Sequence, residues 1–184
     1  MHEFPGFIGS CARTLERNSS SELYYLLTEI LECKNVSVSP VSSIAGLTLA
    51  TFDGDPLEII KKIEHEIEQD NTILQFTLKL VPIQYKVSTS LENLKEFSYF
   101  FASKIKDNDK WRINLRRRHS QLERDEIITA LASEINKGKV SLENPDYYII
   151  AEILGKWTYL AFSSVPELSF SKYIEMNDFD DFSF

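Results

Sequence analysis

Apolar residues in this chain change their spacing several times, from the two-residue period of a β-strand to the 3.6-residue period of an α-helix and back. Strand-like runs occupy residues 7–11, 36–39, 47–52 and 72–87 of the first half, and helical patterns occupy residues 19–31 and 56–67. The second half alternates in the same way. The pattern predicts an α+β fold, and 184 residues, 43% of them hydrophobic, are enough to bury a core.

The first half has the element order β-α-β-β-α-β, which is the ferredoxin-like arrangement. We predict this domain over residues 1–88. The serines at 19–21 are candidate N-caps of its first helix, and Pro56 suits the first turn of its second. Asp53 and Asp55 flank a glycine immediately before that helix, so we interpret them as turn residues rather than as a catalytic carboxylate pair.

The second half predicts another α+β unit over residues 89–166. Ser90 is a capping residue for a helix, and a strand follows at 111–116 with Trp, Ile and Leu on one face and Arg, Asn and Arg on the other. Residues 120–123 have the pattern of a capping box, which predicts a second helix from that point. Two apolar runs separated by residues 155–156 predict a β-hairpin.

Charge is distributed unevenly along the chain. The net charge of −8 argues against a protein that coats nucleic acid through bulk charge. Residues 104–118 nevertheless hold seven Lys and Arg against two Asp. The last segment, residues 167–184, is acidic and rich in Phe. We predict that it is flexible; the alternative is a docking peptide whose aromatic residues insert into a partner.

The sequence offers little support for catalysis. It contains no phosphate-binding glycine loop and no nucleophile or zinc motif, and His65 lies among glutamates on what we expect to be a solvated helix face. Cys11 and Cys33 are expected to be buried thiols in a reducing compartment. We expect a soluble, cytoplasmic protein with no enzymatic activity, no cofactor, no metal site and no membrane contact.

The arginine-rich strand is the strongest functional signal. Guanidinium groups and the free N–H groups at the start of the following helix both favour phosphate, so we predict that they converge on a phosphodiester backbone. Trp111 or the pair Tyr147 and Tyr148 would add base stacking if exposed. The alternative is a solvated edge that discourages strand aggregation. The candidate RNA-binding residues are Lys110, Arg112, Arg116, Arg117, Arg118 and His119.

Residues 91–163 resemble a THUMP domain, an RNA-binding module of tRNA-modifying proteins. The resemblance is carried by W-R-I-N-L-R-R-R-H-S at 111–120, by the amphipathic helix after it, and by L-E-N-P-D-Y at 142–147. The first half, with G-S-C-A-R at 9–13 followed by Glu-Arg and a helix, resembles the ferredoxin-like domain that precedes THUMP in this family.

Within that family, 4-thiouridine synthetases and THUMP-bearing methyltransferases continue into a catalytic domain, whereas this chain stops soon after the hairpin. It is more similar to stand-alone THUMP proteins that resemble the adaptor of tRNA cytidine acetylation. The resemblance implies an adaptor that presents tRNA, held by its acceptor stem and 3′ end, to a separate acetyltransferase, without binding DNA. The alternatives are a protein-interaction scaffold without RNA specificity, an RNA-binding subunit of a thiolation or methylation enzyme, and an unrecognised enzyme.

Overall fold

The computed structural model describes residues 2–170 of the chain, except for the side chain of His2. These residues form two compact units. The N-terminal unit comprises residues 6–81 together with residues 167–170, and the C-terminal unit comprises residues 2–5 and 82–166. The predicted α+β class is confirmed, because each unit combines helices with a β-sheet.

The elements follow one another in an order close to the predicted one, with a π-helical turn at Leu26–Ile30 directly after the first helix. They are β1 (His2–Cys11), α1 (Glu16–Tyr25), β2 (Lys34–Pro40), β3 (Leu47–Asp53), α2 (Pro56–Gln69), β4 (Thr77–Ser88), α3 (Leu91–Lys104), β5 (Lys110–Arg118), α4 (Arg124–Ala132), β6 (Lys139–Val140), β7 (Tyr147–Leu154), β8 (Trp157–Ser163) and β9 (Leu168–Ser169).

The sheet of the N-terminal unit has the strand order β2-β3-β1-β4, and both β2 and β1 pair with β3 in antiparallel fashion. The element order β-α-β-β-α-β predicted from the sequence is confirmed. Ile60, Ile63 and Ile67 of α2 are buried, as their helical spacing predicts. The Asp55 carboxylate accepts a hydrogen bond from the N–H of Leu57 at 2.9 Å, so the residue interpreted as a turn residue is the N-cap of α2.

Two helices begin at other residues than predicted. The first, α1, begins at Glu16. Ser19 therefore lies inside the helix rather than at its cap, and its buried hydroxyl forms a hydrogen bond of 2.9 Å with the hydroxyl of Thr77. The last, α4, begins at Arg124. Its capping box is formed by Glu123 and Glu126, whose carboxylates each accept the other's backbone N–H, while Ser120 lies outside it.

Strand β4 begins at Thr77 rather than at residue 72. The preceding backbone is held by the carboxylate of Glu22 in α1, which accepts hydrogen bonds from the N–H groups of Gln75, Phe76 and Thr77. Three donors on one carboxylate keep this segment in a turn, where it cannot join the strand ladder.

The sheet of the C-terminal unit has the order β1-β4-β8-β7-β5-β6. Strands β7 and β8 form the predicted antiparallel hairpin, whereas β5 runs parallel to β7. Ser90 caps α3, as predicted, by accepting from the N–H of Asn93 at 3.2 Å. One face of this sheet packs against α3 and α4 in a core that contains Leu94, Phe97, Phe101, Ile105, Trp111, Leu115, Ile127, Leu131, Ile149, Ala151, Ile153 and Leu160.

The chain after the hairpin returns to the N-terminal unit. Leu168 and Ser169 pair with Leu80 and Lys79 of β4, and Phe170 is buried. The remainder of the predicted flexible tail, residues 171–184, lies outside the described residues. Among the helices of residues 2–170, none combines the length and apolar character needed to span a membrane.

Replacing Phe101 with alanine tests the packing of α3. Phe101 is fully buried and contacts the rings of Phe97, Phe100 and Phe162. We expect F101A to lower the free energy of unfolding by about 3–5 kcal/mol, because a large cavity replaces the ring. Tyr99 on the same helix is 58% exposed, so Y99A is the matched control and should change stability little. Equal losses in urea denaturation would contradict this packing.

Candidate nucleic-acid interface

Strand β5 sends its side chains alternately to the two faces of the C-terminal sheet. Trp111 and Leu115 face the core beneath α3 and α4. Arg112, Arg116 and Arg118 therefore lie on the opposite face, which we call the arginine face. The alternation predicted from the sequence is confirmed here, and it separates Arg117 from its two arginine neighbours.

The centre of the arginine face is a carboxylate that the sequence analysis did not single out. Glu152 of β7 lies directly opposite Arg116 in the parallel β5–β7 register, and its side chain is only 3% exposed. Its two oxygens accept hydrogen bonds from Arg116 Nη1 at 3.2 Å and from Arg118 Nη1 at 2.9 Å. The result is an Arg–Glu–Arg triad with two positive charges and one negative charge. Glu152 is the one acidic residue of an otherwise apolar and aromatic strand, and this feature of the sequence could have identified it as a buried partner of the arginines.

The environment of Glu152 changes its proton affinity. Burial raises the pKa of its carboxyl above the ordinary value, and the guanidiniums of Arg116 and Arg118 offset part of that rise. The two arginine side chains are 37% and 31% exposed, so the triad has a dry carboxylate and partly solvated cations. The two guanidiniums are therefore accessible to solvent, and their positions are fixed by hydrogen bonds to the buried Glu152 carboxylate.

The predicted convergence of all the arginines on the N-terminus of the next helix is wrong. Arg117 reaches it, donating to the carbonyl of Leu122 at 2.9 Å and pairing with Glu123 at 3.0 Å, whereas Arg116 and Arg118 hydrogen-bond Glu152. The period of the strand turns its neighbours to the opposite face. His119 is exposed and has a positive φ of 55°, so the chain turns sharply at the end of β5.

The remaining candidates lie at the start of β5. Lys110 is exposed, and its backbone exchanges two hydrogen bonds of 2.7 Å with Asp146. Arg112 donates from Nη1 to the carbonyl of Leu142, and its buried Nε has no acceptor among the described residues. Strand alternation places Lys110 and Arg112 on the same face as the triad.

The aromatic residues singled out from the sequence differ in accessibility. Trp111 is 5% exposed and donates from Nε1 to the carbonyl of Lys137, so it is a core residue and offers no stacking surface. Tyr147 stacks on Phe162 at 4.9 Å on the helix-covered face. Tyr148, half-buried, is on the arginine face opposite Arg112. Trp157 at the start of β8 is the more exposed of the two tryptophans, and sequence reasoning missed it.

The residues that could bind a metal ion or act as nucleophiles are not grouped in the part of the chain that the structure describes. Within residues 2–170, no three His, Cys, Asp or Glu side chains are grouped so that they could hold a metal ion. His65 is exposed on α2, as predicted. Cys11 is buried and Cys33 half-buried, both are free thiols, and burial raises the pKa of each.

Comparison with protein-family models identifies part of this unit. Residues 88–162 match the THUMP domain, so the resemblance stated from the sequence is confirmed at the level of the domain. The match extends from the end of β4 through β8 and includes the whole of the arginine-rich strand. No curated protein matches the sequence.

Solved structures share the fold. PH1313 from Pyrococcus horikoshii Ot3 is 19% identical with a TM-score of 0.60, over 90% of this chain and 55% of that one. TrmN from Thermus thermophilus is 13% identical with a TM-score of 0.54, over 89% and 46%. A 4-thiouridine synthetase in complex with RNA and bound ATP is 12% identical with a TM-score of 0.54, over 90% and 42%. The chain spans about half the length of these proteins.

The buried carboxylate should make stability depend on pH. Because the folded-state pKa of Glu152 is raised, the unfolded state releases its proton first, so stability falls as pH rises above the ordinary glutamate pKa of about 4.3. We expect wild type to lose stability relative to Glu152→Gln as pH rises from the ordinary glutamate pKa through the raised folded-state pKa of Glu152. Urea denaturation of both proteins across this range measures the difference. A wild type that gains stability relative to E152Q would show that the arginines outweigh burial.

Proposed function

We propose that this chain binds tRNA through the arginine face of its THUMP domain and presents it to a separate modifying enzyme, a tRNA cytidine acetyltransferase. The observation that carries the proposal is the Arg–Glu–Arg triad of Arg116, Glu152 and Arg118 inside the THUMP match. The proposed RNA-binding residues remain those of the sequence analysis. Lys110, Arg112, Arg116 and Arg118 lie on the arginine face, Arg117 lies at the start of α4, and His119 follows the end of β5.

The triad supports phosphate binding because one carboxylate fixes two guanidiniums. Each arginine uses Nη1 for Glu152 and stays about one third exposed. The guanidinium of Arg118 is planar and has N–H groups besides Nη1, which suit bidentate contact with phosphate. An arginine that is already ordered loses less side-chain entropy on binding, so preorganisation increases affinity.

Arg117 contributes less under this proposal. Its guanidinium is paired with Glu123, which is 72% exposed, and the pair lies at the start of α4. A surface ion pair of this kind is weak, so phosphate can replace the carboxylate.

The adaptor role has support of a different kind. The resemblance of the sequence to the adaptor family of tRNA cytidine acetylation favours an adaptor for acetylcytidine formation. The similarity in fold to a 4-thiouridine synthetase that was crystallised with RNA favours the second candidate, an RNA-binding subunit for thiolation or methylation. Both candidates use the same face for tRNA, and they differ in the enzyme that receives it.

Neutralising the triad tests the RNA-binding face. In R116Q/R118Q/E152Q the buried carboxylate and both cations become neutral amides, which avoids leaving Glu152 without a partner. We expect weaker binding to a tRNA transcript than E152Q shows, with the slope of log K against log salt reduced by about 2, because two phosphate contacts are lost.

The matched control is K61A/K62A, which removes two exposed lysines from α2 of the N-terminal unit. This variant should keep the parent's salt slope. An unchanged slope for R116Q/R118Q/E152Q, with thermal melting showing a folded protein, would contradict the assignment of the site. Association with a protein partner that persists after ribonuclease treatment would instead support the scaffold alternative.

Nucleoside analysis of tRNA from cells lacking this protein tests the identity of the modification. We expect N4-acetylcytidine to disappear and to return when the wild-type gene is restored. Restoration with R116Q/R118Q/E152Q should return less of it, because the variant holds tRNA poorly. Loss of thiouridine or of a methylated nucleoside with intact acetylcytidine would favour the second candidate.

A further inference from the structure

One end of the C-terminal sheet carries an exposed aromatic residue among cations. Trp157 begins β8 and is 37% exposed, whereas Trp111 is buried. The Lys86 ammonium lies 4.4 Å from the centre of the Trp157 ring, and the Lys156 ammonium lies 5.8 Å from it. The indole is therefore flanked by two flexible cations and is partly accessible to solvent.

The backbone around Trp157 is fixed on both sides. The N–H of Gly155 donates to the carbonyl of Arg118 at 2.9 Å, and the N–H of Thr89 donates to the carbonyl of Lys156 at 2.9 Å. The turn of the hairpin is thus tied to the ends of β5 and β4. A fixed aromatic ring loses little entropy when a ligand stacks on it.

Trp157 also has a fixed place relative to the triad. Leu154 of β7 lies opposite both Arg118 and Trp157 in the sheet register, so Trp157 is two strands away from Arg118, about 10 Å across the sheet. Tyr159, two residues further along β8, lies opposite Glu152 and beside Lys86. By strand alternation Trp157 and Tyr159 belong to the arginine face.

We propose that Trp157 is the stacking platform for an unpaired RNA base, and that Lys86 and Lys156 contact the phosphates on either side of that base. The inference rests on the proposed function and deepens it by assigning the residue that stacks on an unpaired base and the lysines that contact the phosphates beside it. Lys86 leaves the indole ring when the base arrives and its ammonium pairs with phosphate. This exchange is favourable because a stacked base interacts more strongly with an indole than an exposed ammonium does.

The surroundings of Lys86 explain why it is available for this exchange. Its ammonium also lies 4.9 Å from the ring of Phe4 and 5.6 Å from the ring of Tyr159, and no carboxylate of the described residues forms a salt bridge with it. The aromatic rings hold the ammonium in place without neutralising its charge. A lysine paired with a carboxylate would first have to break that ion pair.

The test compares three RNA probes: a short single strand, the same strand with abasic nucleotides, and its blunt duplex. We expect W157A to weaken binding of the single strand about tenfold, since stacking on one aromatic residue is lost. Binding of the abasic strand and of the duplex should change less than twofold. Y99A removes another exposed aromatic residue and is the matched control, and W157F, which keeps a ring, should bind nearly as well as wild type.

Tryptophan fluorescence provides an independent readout. The single strand should quench wild-type emission, the abasic strand should not, and W157F should lose the quenching while it still binds. K86M should keep the quenching and reduce the salt slope by about 1.

Equal affinity of W157A and wild type for the single strand would overturn this inference. If R116Q/R118Q/E152Q still binds the tRNA transcript more weakly than E152Q does, the proposed function stands without a role for Trp157. A wild type that binds none of the three probes and no tRNA would overturn both.

Discussion

Burial of the Glu152 carboxylate is the constraint around which the C-terminal unit is arranged. A lone buried carboxylate costs several kcal/mol, and a partner must approach within hydrogen-bond distance to offset that cost. The observed parallel register brings Arg116 directly opposite Glu152 and Arg118 within hydrogen-bond distance of it. A slip of one residue would turn the arginines toward the core and Trp111 and Leu115 away from it. The ion triad and the apolar core therefore specify the same pairing of β5 with β7.

The same triad explains how an acidic chain can carry the polyanion-binding face that we propose. The chain carries a net charge of −8, yet exposed charges act over about 10 Å at ordinary ionic strength, so the local balance decides what can approach. On the arginine face one carboxylate is buried beneath two partly exposed guanidiniums. The negative charge of Glu152 is paired with the guanidiniums of Arg116 and Arg118 and is hardly exposed to solvent. The acidic remainder of the surface then discourages nonspecific contact with nucleic acid, while the face itself stays attractive.

The sequence was sufficient where local chemistry determines structure. The position of Pro56 in the first turn of α2, the Ser90 cap of α3, the buried isoleucines of α2 and the β7–β8 hairpin follow from neighbouring residues, and all were predicted correctly. The sequence was insufficient where a contact between residues far apart in the chain determines the structure. Ser19 lies inside α1 rather than at its cap, and its hydroxyl is hydrogen-bonded to that of Thr77, far along the chain. The partner of Arg116 is 36 residues away, and only the strand register identifies it. The grouping of Arg116, Arg117 and Arg118 into one cluster ignored the two-residue period, which was visible in the sequence.

The position of the cations on a strand, rather than at a helix N-terminus, also narrows the kind of anion that fits. A helix N-terminus presents its N–H groups to one point and suits a single phosphate. Alternate residues of a strand are about 6.7 Å apart, so Arg112, Arg116 and Arg118 form a row that extends along β5. Such a row matches an anion whose charges repeat along a chain better than it matches an isolated one. Trp157 lies level with Arg118, two strands across the sheet, so an aromatic ring stands beside one end of the row, where an unpaired base of such a chain could stack.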